Sequence, residues 1–199
     1  KNSIWGTAVK DWADRNTALG AISTEINVPV VNIENLFQKY GVPYYLKIDI
    51  EGMDLIALKA LSKSSNKPKY LSIESEKKSF EKLVREFDIL DDLGYKSFQI
   101  VQQRTVHHQK IPKNSLEGKI CDHRFVRGSS GLFGQDLPSQ WLDKSQSIQR
   151  YKRIFTWYRI FGDQSIFAKI AVLKLLKKML ERGTNISLPG WYDTHAKLK

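Results

Sequence analysis

An α/β fold is what this sequence predicts, and three observations predict it. Strand-like runs alternate with helical stretches between residues 44 and 101. One octapeptide, Leu46-Lys47-Ile48-Asp49-Ile50-Glu51-Gly52-Met53, passes straight from a buried strand into a helix through two carboxylates and a glycine. A single cysteine, Cys121, excludes an internal disulfide framework, so a packed core must hold the 199 residues together. Strand–helix–strand–helix–strand at this spacing reads as a parallel sheet with helices on its faces.

The elements follow in order. Residues 1–25 show no sustained period; Trp5, Gly6, Trp12 and Gly20 read as a loop with a few anchors. Ile26 to Val31 reads as extended, held to an edge or connector by Pro29. Asn32 can cap a short helix bearing Ile33, Leu36 and Phe37, which Gly41 ends and Pro43 keeps from continuing. Tyr44 to Ile50 is the first strand. A helix follows from Met53 to about Leu61, with Leu55, Ile56, Leu58 and Leu61 apolar. Tyr70 to Glu74 is the second strand.

Ser79 opens the clearest helix, where Phe80, Leu83, Val84, Phe87 and Leu90 form one stripe and Gly94 closes it. Tyr95 to Val101 alternates as a third strand. Lys113 to Phe125 reads as loop, Arg124 to Val126 as a short strand, and Ser129 to Gly134 as a glycine-bounded loop. Gln146 to Phe161 is basic, aromatic and helical. Phe167 to Leu180 is a second amphipathic helix, stopped near Gly183. Pro189-Gly190 then breaks the chain before Trp191-Tyr192-Asp193-Thr194-His195.

The net charge of +11 is unevenly placed. Residues 1–100 carry 14 basic and 14 acidic side chains, whereas residues 101–199 carry 18 and 7. A basic back half suits an anionic partner or acceptor, or is simply a solvated lysine-rich surface. The most apolar late stretch, Ile166 to Leu180, is broken by Lys169, Lys174, Lys177 and Lys178, which excludes a membrane span there. No signal peptide is visible, and one free cysteine fits a reducing, cytoplasmic setting.

The chemistry concentrates at strand ends. Asp49 and Glu51 are two residues apart and share a face if the strand continues through them. Ile73-Glu74-Ser75-Glu76 repeats the pattern on the next strand. Ligands in open α/β sheets sit beyond the carboxyl ends of the strands. A carboxylate cluster there must bind a cation, hydrogen-bond a polyhydroxyl ligand or share protons. The bland alternative is a helix-capping charge with a lysine partner. Glu76, beside Lys77 and Lys78, reads as a solvent-exposed charge.

Three stretches carry a resemblance: Pro29-Val30-Val31-Asn32-Ile33-Glu34-Asn35-Leu36, then Tyr45-Leu46-Lys47-Ile48-Asp49-Ile50-Glu51-Gly52-Met53-Asp54, then Leu58-Lys59-Ala60. They resemble the FkbM-type methyltransferases, whose hallmark strand reads Lys-Ile-Asp-(Val/Ile)-Glu-Gly. Gly128 to Pro138 and Trp191 to Ala196 are similar to later pieces of one branch of that family. The resemblance implies a Rossmann-like class I methyltransferase fold using S-adenosylmethionine, usually methylating an oxygen of a sugar, glycan or related small molecule. It places Asp49 at the donor–acceptor boundary and Gly52 beside the donor. Glu51 then hydrogen-bonds or deprotonates the acceptor, and Glu74 contacts it.

The family pattern also opens with a strand and a glycine-rich turn, and no Gly-x-Gly occurs in this sequence. Together with Lys1 in place of Met, this implies an N-terminally truncated domain, with the donor-binding first strands missing and the Tyr44–Ile50 strand at a sheet edge. Residues 1–143 are then the carboxyl-terminal part of the methyltransferase domain, and residues 144–199 a basic helical extension packed on it.

Other residues invite weaker readings. His107-His108 on a strand would face opposite sides, so no metal site is expected. Cys121 and His123 lack a third orienting group, leaving His123 as an acceptor-side candidate only. Trp191 and His195 either line an acceptor pocket or belong to a docked tail. Tyr151, Phe155, Trp157, Tyr158 and Phe161, among Arg150, Lys152, Arg153 and Arg159, either stack on bases or sugars or pack on the sheet while the cations snorkel. The rival functions are a basic nucleic-acid-binding module and a catalytically inactive methyltransferase-like scaffold.

Overall fold

The computed structural model describes residues 6–18, 20, 22, 24–161 and 190–199. Their elements run α1 (Lys10–Ala18), α2 (Ile33–Tyr40), β1 (Tyr45–Ile48), α3 (Asp54–Ala60), β2 (Tyr70–Glu74), α4 (Phe80–Asp92), β3 (Tyr95–Gln102), α5 (Lys144–Phe161) and β4 (Tyr192–Leu198). Short 3-10 turns occupy Leu61–Lys63, Gln103–His108 and Gly134–Asp136. The expected helix over Phe167 to Leu180 and its stop at Gly183 lie outside the described residues. Among the described residues, no helix is long and apolar enough to cross a membrane.

Local sequence explains most boundaries. Asn32 Oδ1 accepts from the Glu34 amide at 2.9 Å, and Gly41, at φ +83°, closes α2 by donating to the Phe37 carbonyl. Ser79 Oγ caps α4 by accepting from the Lys82 amide. Two expectations change. Residues 10–18 form a helix although the segment is polar almost all round, which hides its period. Arg124 to Val126 is not a strand; the chain there makes a turn in which Ser129 donates to the Val126 carbonyl.

The four strands form one sheet in the order β1-β2-β4-β3. β1 and β2 are parallel, whereas β4 runs antiparallel to both of its neighbours. The expected all-parallel arrangement is therefore corrected. β2 and β3 are not neighbours, because the tail segment, offered by the sequence as a pocket lining or a docked end, is a strand wedged between them. Tyr192, Thr194, Ala196 and Leu198 share one face and Asp193, His195 and Lys197 the other. The polar set masks the alternation. Residues beyond 144 thus share the sheet with those before it.

The two faces differ in character. On one, Ile48, Leu71, Ile73, Phe98, Ile100 and Ala196 pack against Leu58, Leu83, Phe87, Leu90, Tyr151 and Ile154 of the helices. Phe87 meets Phe98 and Tyr151 edge-on, at centroid separations of 5.0 and 5.8 Å. The Tyr151 hydroxyl lies 2.5 Å from Ser75 Oγ and 2.9 Å from Thr194 Oγ1, which are themselves 2.7 Å apart. This closed triangle ties α5 to β4 and to the end of β2, and leaves none of its hydroxyls orphaned.

The opposite face is polar. Lys47, Ser72, His195 and Gln99 stand in one row across all four strands. Asp193 and Glu74 are paired one row nearer the carboxyl end of β2. The segment after β3 covers part of this face: Phe133 stacks on Tyr45 at 4.5 Å, Trp141 stacks on Tyr70, and Val106 and Leu137 pack on Val101.

Phe87→Ala should lower the unfolding free energy by about 3–5 kcal/mol, the usual cost of emptying a fully buried aromatic site. Urea denaturation followed by circular dichroism measures it. A loss below 1 kcal/mol would mean that α4 does not anchor this core.

Candidate active site

β1 stops at Ile48, short of the acids. Asp49 and Glu51 are brought together by a turn rather than by strand alternation. Asp54 builds that turn, its carboxylate accepting from the Ile50 and Gly52 amides at 3.0 Å each. Asp54, in the first turn of α3, is the helix-start acid that the bland reading assigned to its neighbours. Thr7 Oγ1 donates to the Glu51 carbonyl at 2.7 Å, fastening the N-terminal segment to the same turn. Glu51 has φ +47° and Gly52 φ +102°. Only glycine adopts the second value without strain, and Glu51 bears its left-handed conformation at a cost.

The result is convergence. One carboxylate oxygen each from Asp49, Glu51 and Glu74 lies within 4.8 Å of the other two. Carboxylates this close raise one another's protonation unless cations intervene, and two ammonium groups do. Lys77 Nζ sits 2.9 Å from Glu74 Oε1. Lys47 Nζ sits 3.3 Å from Asp49 Oδ2 and 3.2 Å from Asp193 Oδ2. Oxygen ligands of this kind suit a hard divalent cation. The two lysines already offset much of the charge, so the arrangement does not require one.

Burial sets the protonation states. Desolvation lowers the Lys47 ammonium, but Asp193 and Asp49 outweigh it and leave its pKa raised. Burial pushes Asp193 up to about 7 despite Lys47. Burial, with Lys47 adding to it, pulls the His195 imidazole down to about 3. Glu86 of α4 is fully enclosed and its pKa lies well above the carboxylate range; its Oε2 accepts from the Glu76 amide at 3.3 Å. Glu76 is itself no free charge: its Oε1 accepts from the Lys78 and Ser79 amides and shapes the entry to α4.

Residues 1–97 match the family model described as the Methyltransferase FkbM domain. That stretch, just under half of the chain, is what ties it by similarity to the FkbM methyltransferases. No curated protein and no solved structure matches the chain significantly. The α/β architecture, with helices flanking a four-stranded sheet, accords with an incomplete Rossmann-like methyltransferase fold.

Asp49, Glu51, Gly52 and Glu74 meet at one place, and three other candidates stand outside that cluster. His195 is only 2% exposed, within the sheet, its ring parallel to that of Tyr45. Trp191 is 42% exposed, just ahead of β4 and therefore at the sheet end that carries the acids; its carbonyl accepts from the Gln103 amide. His123 lies on an exposed loop beside Phe125.

Lys47, Asp193 and Glu86 went unread. Lys47 lies two residues before Asp49, and that spacing was a usable signal. Asp193 could be placed only once the tail was seen to be a strand. The α5 aromatics support packing over stacking on bases: Tyr151 is buried, and Phe155 and Tyr158 lean on the core.

Asp54→Ala should cost about 1–2 kcal/mol by orphaning two turn amides, read as a lower urea midpoint. The His195 shift gives a pH dependence of known sign. With a folded value near 3 and an unfolded value of about 6.5, its contribution is complete above pH ~6.5 and is lost as pH falls toward 3. His195→Gln should therefore flatten the acid limb of the stability profile. Parallel pH curves for the two proteins between 7 and 4 would refute it.

Proposed function

We propose that the FkbM domain transfers a methyl group from S-adenosylmethionine to a hydroxyl oxygen of a sugar, glycan or related small molecule. The convergence of Asp49, Glu51 and Glu74 beyond two parallel strands is the observation that carries this reading. The donor fits the place on charge. Three carboxylates against two ammonium groups leave the pocket anionic, which favours a cationic sulfur. S-adenosylmethionine supplies, when bound, an electrophilic methyl group on that sulfur.

The residues divide the remaining work. Asp49, its side chain 43% exposed, faces the cation and orients the acceptor hydroxyl. Lys47, 3.3 Å away, holds the Asp49 carboxylate in place. Gly52 offers bare backbone for a close approach. Glu51 accepts the hydroxyl proton, and Glu74 hydrogen-bonds the acceptor from the next strand. Trp191 offers an aromatic face for a sugar ring at the same end of the sheet.

β1 lies at one edge of the four-stranded sheet. The free, exposed Cys121 suits a cytoplasmic setting.

Transfer of labelled methyl from S-adenosylmethionine to a panel of mono- and oligosaccharides tests the proposal. Glu51→Gln should reduce turnover by roughly 10²–10⁴-fold, the range for removing a general base. Asp49→Asn should weaken both turnover and donor binding. Undiminished activity in both variants would leave the acids a structural role only.

A further inference from the structure

A second concavity is lined by none of the clustered acids. It encloses about 610 Å³, a volume typical of small-ligand sites, between two stretches of the segment that follows β3. One wall runs from His107 to Lys113 and the other from Ile120 to Arg124. The first wall is anchored. Val106, beside it, is buried against Val101 and Leu137, and Gln109 Oε1 accepts from the Leu132 amide at 2.9 Å. Gly131 makes that contact possible: a Cβ there would come within 2.5 Å of Gln109 Oε1 and 2.8 Å of Val106 Cγ1.

The lining is strongly one-sided in charge. Lys110 and Lys113 come from one wall and Arg124 from the other, with Asp122 the only carboxylate among the lining residues. No ion pair engages these three cations among the described residues. Lys77, Lys96 and Lys144, by contrast, each meet a carboxylate: Glu74, Asp91 and Asp88. Like charges facing one another across a concavity focus a positive potential that an anion would relieve. His107, His108 and His123 add ring N–H donors to the same lining. An arginine opposite two lysines suits phosphate oxygens, since the guanidinium fork grips two at once.

We propose that this cleft binds the diphosphate of a nucleotide-linked sugar. The ligand's role as methyl acceptor rests on the function proposed above, but its binding does not. Calorimetric titration of the full chain with inorganic pyrophosphate and with uridine diphosphate glucose tests it, with free glucose as the neutral control. Both phosphate ligands should bind, glucose should not, and affinity should fall as salt rises. Lys110→Ala/Lys113→Ala/Arg124→Ala should weaken binding at least tenfold. Lys152→Ala/Arg153→Ala on exposed α5 should leave it unchanged.

Equal losses in both variants would reduce the effect to general surface charge and overturn the site. Binding confined to phosphatidylglycerol vesicles would overturn the soluble ligand. Pyrophosphate binding without methyl transfer would sink the function and spare the cleft. Methylation of sugars with no pyrophosphate binding would do the reverse. Far-UV circular dichroism of the triple variant, all of whose changes are on exposed side chains, guards against misfolding.

Discussion

One ammonium group holds the arrangement together. Lys47 reaches from an edge strand to Asp49 on its own chain segment and to Asp193 on a strand far away in sequence. Without it, Asp49 and Glu74 would repel one another at the same sheet end, and Asp193, which burial already pushes up to about 7, would take up a proton and lose its hold on β1. The pair is a constraint more than a source of stability, since desolvation consumes much of what attraction returns. What it secures is position: the carboxylate of Asp49 and the register of β4 are set by the same nitrogen.

The sheet separates structure from chemistry by face. One face is apolar and closed by α3, α4 and α5, with the hydroxyl triangle of Ser75, Tyr151 and Thr194 as a polar knot within it. The other face places Lys47, Ser72, His195 and Gln99 in a row, with acids beyond them. A half-polar sheet would expose its interior to water unless something lay over it. Phe133, Leu137 and Trp141 do so, and they are contributed by a segment with little regular structure of its own. That segment therefore both completes the fold and forms the second cleft.

Much of this was legible in advance, for identifiable reasons. The caps at Asn32 and Ser79, the stops at Gly41 and Gly94, and the stripe of α4 are local events, and local rules predict them. The meeting of Asp49 with Glu51 and Glu74 was also foreseen, although the mechanism differs: a left-handed turn held by Asp54 replaces simple strand alternation. The failures are non-local. Nothing within Tyr192–Leu198 says that it sits between β2 and β3, because its polar residues face a covered surface that only the folded chain creates. Asp193 and His195, polar residues of a segment that the sequence offers only as a pocket lining or a docked tail, are buried in the protein.

The position of β4 has a consequence for how the chain is made. Among the described strands it is synthesised last, yet it must slot between two that have long since emerged from the ribosome. Until it arrives, β2 and β3 have no common partner, and the bonds each makes with β4 remain open to whatever else is near. The domain is thus committed to finishing its sheet after translation of this segment, a pause in which a chaperone or a competing strand has its opportunity.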